Sequence, residues 1–240
     1  MIVTTENYQE VIDNILPNKS WIVDVETNGF NAFDTNQLCG IGIGAGGETY
    51  YFPFRHQQGG NLIIKKYLKP LMEIMSQRES LIGYNIKFDL KFLEMEGLDT
   101  TNIKLIDVLV MVRLTEPTTI RDLDLTTTII RNYGEKAGSY DIETKKILRT
   151  NKWHKDFSLA PVDILGEYCE QDVKWTAKLY EDRIIEIEES EQSDVFELEC
   201  ELTKVLNRME HRGIPIDTKY ARNLMDKLEK RKDEVEKKVQ

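Results

Sequence analysis

Residues 21–29 read Trp-Ile-Val-Asp-Val-Glu-Thr-Asn-Gly, and two acids in this apolar stretch decide how the chain is read. Trp, Ile and Val favour a pleated strand. The strand period of two puts Asp24 and Glu26 on one face, about 7 Å apart along the backbone. The flanking residues mark a central strand covered on both sides. A carboxylate buried there is costly unless it is paired or bound to a metal. An acid at a strand end is often a turn cap, which accounts for Glu26 but poorly for Asp24.

Working outward, 38–43 and 49–52 are further β-rich runs at short intervals, so three consecutive strands joined by tight turns are expected. An amphipathic helix follows over 61–75, then a short strand at 81–84 leading into a helix over 85–96. A second short strand at 103–106 runs into a helix near 107–114, and the pattern is helical from there on. Three strands followed by βαβα imply an α/β fold with a mixed sheet. The glycines between 40 and 47 read as a hairpin rather than a phosphate cradle, because no helix follows them.

Two more acids interrupt apolar faces. In the 85–96 helix, Asp89 lies one turn before Leu93 on the stripe formed by Phe88, Phe92 and Leu93, with Asn85 a turn earlier on the same side. Asn85 is otherwise a helix N-cap and Asp89 a border residue. Farther on, Leu165, Tyr168, Asp172 and Leu179 share a helical stripe, with Tyr168 and Asp172 one turn apart. A structural hydrogen bond between those two is the plainer alternative. Taken together, four acids from three elements each sit on an apolar face. Oxygen-rich sets without His or Cys suit hard cations, chiefly Mg²⁺ or Mn²⁺, and four carboxylates can hold two ions about 3.5–4 Å apart.

Composition narrows the alternatives. With 32 basic and 42 acidic residues in 240, net charge −10, the chain is not a general nucleic-acid-coating protein. It has no apolar run long enough for a transmembrane helix, and MIVTTENYQEVIDN does not read as a signal peptide. Cys39, Cys169 and Cys200 form neither a disulfide framework nor a metal spacing, which fits a reducing cytoplasm. His56, His154 and His211 lack zinc-ligand spacing and read as surface or loop residues. The polar stretch 134–158, with Lys145, Lys146, Arg149, Lys152 and Lys155, is either a solvated loop and short helix or a surface that meets a nucleic-acid backbone.

At these residues the chain resembles the DEDDy exonucleases of the DnaQ-like superfamily. Asp24-Val25-Glu26-Thr27 resembles their first motif, Asn85-Ile86-Lys87-Phe88-Asp89 the second in its family A polymerase form, and Tyr168-x-x-x-Asp172 the third. The resemblance implies a ribonuclease H-like fold, a five-stranded mixed sheet flanked by helices, with a C-terminal helical extension. It implies 3′→5′ exonuclease activity on DNA 3′ ends, with two Mg²⁺ or Mn²⁺ ions and single-stranded DNA as substrate. Asp24, Glu26 and Asp172 would hold the ion carrying the attacking water, Asp24 and Asp89 would serve the second ion, and Tyr168 would orient the water. Thr27, Phe30 and Asn85 match positions that contact the terminal nucleotides.

The likeness runs on: Phe196–Asp217 resembles the lead-in to a family A polymerase thumb. The expected domains are residues 1–190, the exonuclease, and residues 191–240, a helical lead-in, with a polymerase domain, covalent or associated, as partner. No polymerising carboxylates are present, so no polymerase activity is expected of this chain alone. The competing readings are a ribonuclease D-like or Werner-like exoribonuclease and a catalytically silent DNA-binding domain.

Overall fold

β1 (Ser20–Thr27) is the middle of five strands in the computed structural model, which describes residues 1–239. The order is β3-β2-β1-β4-β5, with β2 (Leu38–Ala45), β3 (Glu48–Pro53), β4 (Ser80–Gly83) and β5 (Lys104–Asp107). β1, β2 and β3 are antiparallel neighbours; β4 and β5 run parallel to β1. This is the mixed sheet expected from the pattern and the ribonuclease H-like form that the family resemblance implied.

Side-chain alternation divides the sheet into two faces. Trp21, Val23, Val25, Ile41, Ile43, Leu81 and Leu105 point to one face and pack with α1 (Tyr8–Ile15), α2 (Ile64–Met75) and α3 (Lys87–Met95). Ile22, Ile82 and Ile106 point to the other, where α4 (Val108–Thr115), α5 (Leu125–Tyr133), α7 (Val162–Glu189) and the first half of α8 (Ser193–Arg212) cover them. α1 was not foreseen in the sequence; its Val11, Ile12 and Ile15 close the first core.

α7 is 28 residues long and lies across β1, β2 and β3. It can do so because β2 presents glycines to it. A Cβ on Gly42 would sit 2.6 Å from Cys169 Sγ and 2.8 Å from Val173 Cγ2, and one on Gly44 2.7 Å from Val173 Cγ1. The hairpin turn itself is Gly46-Gly47, at φ 62° and 85°. The glycine-rich segment is therefore a hairpin turn and a bed for a helix in one.

α6 (Ser139–Thr150) occupies the polar stretch as a full helix, docked on α7 through Leu148 and Leu165, with Trp153, Phe157 and Tyr168 against them. α7 gives way to α8 at 190–192, where Glu191 takes φ 57°. The described chain divides into two compact units, Met1–Asn207 and Arg208–Gln240. The first unit therefore takes in most of α8, whose Phe196 and Cys200 are buried in the second core. In the second, Gly213 at φ 67° ends α8, and the Asp217 carboxylate accepts from Tyr220 N–H at 2.9 Å to cap α9 (Thr218–Val239).

Candidate active site

Asp24 and Glu26 project from β1 on the α7 face, in register with Gly42 and Gly40 of β2. Those glycines let Tyr51 close in on Gly40, and Cys169 and Val173 on Gly42, where any Cβ would collide. Glu26 is 3% exposed; Asp24 keeps an opening to solvent although protein packs closely around its carboxyl. The ladder shifts between Glu26 and Thr27, and Thr27 Oγ1 donates to Gly29 O at 2.7 Å, turning the chain away.

Asp89 arrives from α3. The parallel ladder between β1 and β4 stops at Ile22 and Ile82, and farther along β1 the Val25 N–H donates to Asp89 Oδ1 at 2.9 Å. One carboxylate oxygen thus replaces a strand partner. α3 starts at Lys87, not at Asn85, and Asn85 is not its cap. Asn85 adopts φ 58°, a left-handed conformation outside a helix. The buried Asp107 carboxylate holds that turn: its Oδ1 accepts from Asn85 N–H at 2.9 Å and from Leu109 N–H at 3.0 Å, capping α4 as well. Asp107 is a positioning residue that strand and helix signals did not reveal.

Asp172 is buried on α7, and Tyr168 lies one turn before it. They do not bond to each other. Tyr140 of α6 donates its hydroxyl to Asp172 Oδ1 at 2.5 Å, and Tyr168 donates to Asp141 Oδ1 at 2.9 Å. Lys145 pairs with the other oxygen of Asp141 at 2.9 Å. Lys146, Arg149, Lys152 and Lys155 remain exposed.

The four predicted acids feel one another. Burial, with Asp24, Asp172, Asp89 and Asp141 nearby, pushes the Glu26 carboxyl well above the usual range. Burial raises Asp24 to about 7. Burial first, then Asp24, raises both Asp89 and Asp172. Among the described residues none of the four forms an ion pair with a cation, and each would be costly to charge without one. Tyr168 is likewise raised, by burial and then by Asp172, so its hydroxyl stays protonated.

Possible donor atoms of Asp24, Glu26 and Cys169 lie within 4.8 Å of one another. Asp89 and Asp172 stand outside that set, with an oxygen each engaged by Val25 N–H and Tyr140. Cys169 Sγ donates to Asp24 Oδ2 at 3.3 Å, so a thiol shares the carboxylate pocket. Its one signal in the sequence was its place three residues before Asp172 on the same helix. Of the residues expected to meet substrate, Thr27 is buried beside the acids, Asn85 is exposed, and Phe30 stands 85% exposed on the loop after β1.

The histidines divide. His154 is exposed, and His56 lies in the loop after β3, but it is buried there and not on the surface. His56 Nδ1 faces Ala160 O at 2.9 Å and Nε2 faces Tyr51 OH at 2.8 Å. A carbonyl only accepts, so Nδ1 carries the proton and Nε2 accepts from Tyr51. The ring ties β3 to the segment before α7.

Residues 1–182 match a family model described as a 3′-5′ exonuclease, of the DNA polymerase A group. The chain belongs to that exonuclease family. This exonuclease domain is 30% identical over 216 residues to DNA polymerase I of Synechocystis sp., covering 85% of the chain and 20% of the relative. It spans between a fifth and a third of the length of the curated polymerases it matches. Escherichia coli RNase D, an exoribonuclease involved in structured RNA processing, superposes at TM-score 0.60 with 15% identity, over 87% of this chain and 50% of that one. Brucella melitensis NrnC with bound Mg²⁺ superposes at 0.57 with 16% identity, over 88% and 91%. At those identities the likeness is one of fold. No described helix of this exonuclease domain is long and apolar enough to cross a membrane.

Proposed function

We propose that this domain removes nucleotides from the 3′ end of DNA as the proofreading part of a family A polymerase, by hydrolysis assisted by two divalent cations. The observation that carries the reading is a buried set of mutually repelling carboxylates, Asp24, Glu26, Asp89 and Asp172, whose charge only Lys145, near Asp172, is seen to offset among the described residues. The donor chemistry fits Mg²⁺ or Mn²⁺, which prefer carboxylate oxygens; the nearby Cys169 thiol is the one departure from an all-oxygen set. Asp24, Glu26 and Asp172 would hold one ion, and Asp24 with Asp89 the second. Such ions, when bound, make hydroxide available near neutral pH and stabilise the leaving oxygen.

The protein's own residues do the rest. β1 and α7, locked by the glycines of β2, fix the spacing between Asp24, Glu26 and Asp172. The Val25 N–H holds Asp89 in place. Tyr168 orients the attacking water without becoming a nucleophile. Phe30, exposed on its loop, stacks on the terminal base, and Thr27 and Asn85 contact the last nucleotides. Residues 1–190 form the exonuclease proper, and 191–240 lead toward a polymerase domain that is covalently continuous or associated. A DNA substrate is favoured over RNA by the polymerase relatives.

The test is digestion of 3′-labelled single strands of DNA and of RNA with Mg²⁺, with and without EDTA. Wild type should release nucleoside monophosphates from DNA, EDTA should stop it, and Asp24→Ala should abolish it. Faster digestion of RNA would overturn the DNA assignment; undiminished activity in Asp24→Ala would overturn the site.

A further inference from the structure

The contacts between α6 and α7 form a crossed pair. Tyr140 of α6 donates to Asp172 of α7, and Tyr168 of α7 donates to Asp141 of α6, the two rings lying 6.2 Å apart. The Tyr140–Asp172 half touches an acid already placed in the site. The other half does not: Asp141 is a further buried acid that no motif named, and it is 3% exposed.

A phenol has one proton to give and two lone pairs with which to accept. A carboxylate facing it can only accept, so the 2.9 Å contact commits the Tyr168 proton to Asp141. The lone pairs of Tyr168 then remain for a second partner, and donating to Asp141 makes that oxygen a better acceptor. We infer that Asp141 is a positioning residue that sets Tyr168 as the hydrogen-bond acceptor of the attacking water, with Lys145 holding Asp141 in place. A water that donates one proton to Tyr168 has its lone pair left for phosphorus. Without Asp141, the Tyr168 hydroxyl is free to rotate and donate to the water, which occupies the lone pair the reaction needs. Asp141 does not touch the substrate in this scheme; its charge also reaches Glu26 and Asp172 through space, and the positioning role is the part of its effect that needs the Tyr168 hydroxyl.

The inference rests on the proposed exonuclease reaction, and its rival is purely structural. Asp141 lies in the first turn of α6 and pairs with Lys145 one turn later, an arrangement that stabilises a helix by itself. Steady-state digestion of 3′-labelled DNA over a range of DNA concentrations separates the two. Asp141→Asn keeps an oxygen that can accept from Tyr168 but loses the charge, and it is expected to lower kcat about tenfold, the scale of the charged part of such a bond. KM and the Mg²⁺ concentration for half-maximal rate should stay within about twofold. In a Tyr168→Phe background, most of the Asp141→Asn loss should disappear. Lys145→Gln, altering a more exposed partner, should give a smaller kcat loss, most of which vanishes with Tyr168→Phe, the remainder reflecting its charge near Asp172, and it serves if Asp141→Asn does not fold.

Equal losses with and without the Tyr168 hydroxyl would overturn the inference, as would a change confined to KM. A shifted Mg²⁺ requirement would make Asp141 a cation ligand and overturn it too. Asp24→Ala in the same assay keeps the two readings apart. Full activity there overturns the site and the Asp141 role with it; lost activity there, with Asp141→Asn and Lys145→Gln unaffected, overturns the Asp141 role alone.

Discussion

β1 has two faces made by the same eight residues, and they do opposite work. Trp21, Val23 and Val25 point into a dry core against α1, α2 and α3. Asp24 and Glu26, their immediate neighbours in sequence, point at α7 beside Asp172 and Cys169. One face gains free energy by burial; the other gathers like charges where they repel. A strand can afford the second because the first is so complete. The difference teaches where stability and chemistry separate: one register position apart on one strand.

Breaking the acidic face should cost activity and not stability. Asp24→Ala is expected to lower the exonuclease rate on the order of 10³-fold, since one carboxylate of a metal clamp supplies several kcal/mol at the transition state. The metal-free variant should melt no lower than wild type, because it loses a buried repelling charge. Rate and melting temperature of the same sample check both halves.

Breaking the apolar face should do the reverse. Trp21 is fully buried, and Trp21→Ala should destabilise the domain by about 3–5 kcal/mol in urea unfolding. The fraction that remains folded should keep its rate per molecule. A large loss of rate per folded molecule would mean the two faces are not separable.

The pH dependence sharpens the contrast further. The Asp24 carboxyl is raised from 3.8 to about 7 in the folded protein. Between those values the folded state holds a proton that the unfolded chain has released. Stability contributed by Asp24 is therefore present below about pH 4 and lost as pH rises toward 7. The loss is on the order of 4 kcal/mol by pH 7. Glu26, Asp89 and Asp172, raised likewise, add declines of the same sign, so metal-free unfolding should show a larger total, Asp24→Asn should make it smaller, and Mg²⁺ should reverse it at pH 7 without effect at pH 4. A decline of equal size in Asp24→Asn would assign it to other groups.

Much of this was legible in the sequence, for a reason visible in the same strand. Strand alternation and helical stripes are local patterns, so Asp24, Glu26, Asp89, Tyr168 and Asp172 each announced itself as an acid or phenol on an apolar face. What stayed hidden depends on tertiary contact. Tyr140 and Asp141 sit in a polar stretch without a strong stripe, and only the docking of α6 on α7 through Leu148 and Leu165 gives them partners. Asp107 stands only at the start of an expected helix, and its bond to Asn85 N–H crosses from β5 to the turn before α3. Asn85 itself was read as helical because nothing in the sequence shows a left-handed φ. The glycines of β2 announce a turn readily, but their second use, making room for α7, is known only once the helix is in place.

That second use is the mechanical link between the faces, and Gly42→Ala tests it. The new methyl would meet Cys169 and Val173 and force α7 away from the sheet. Overpacking of this kind costs about 1–3 kcal/mol. A lifted α7 would also move Asp172 and Tyr168 relative to Asp24, so the rate should fall more than stability alone explains. Gly47→Ala is the control. A Cβ there meets nothing, and only its positive φ resists the change, so a cost near 1 kcal/mol with no loss of rate is expected. Equal effects on rate would remove the glycine bed from the account.

The smallest expected effect lies outside both faces. Phe30 is 85% exposed and supports no core, so Phe30→Ala should change stability by less than about 0.5 kcal/mol. If its ring stacks on the terminal base, its loss should cost about 1 kcal/mol, a several-fold rise in KM for single-stranded DNA. Because stacking is indifferent to base identity, the rise should be similar for strands ending in any of the four bases. Phe30→Leu should recover part of it through apolar contact alone. A fall in kcat at constant KM would instead place Phe30 among the groups that align the scissile bond, and would extend the acidic face onto the loop that follows it.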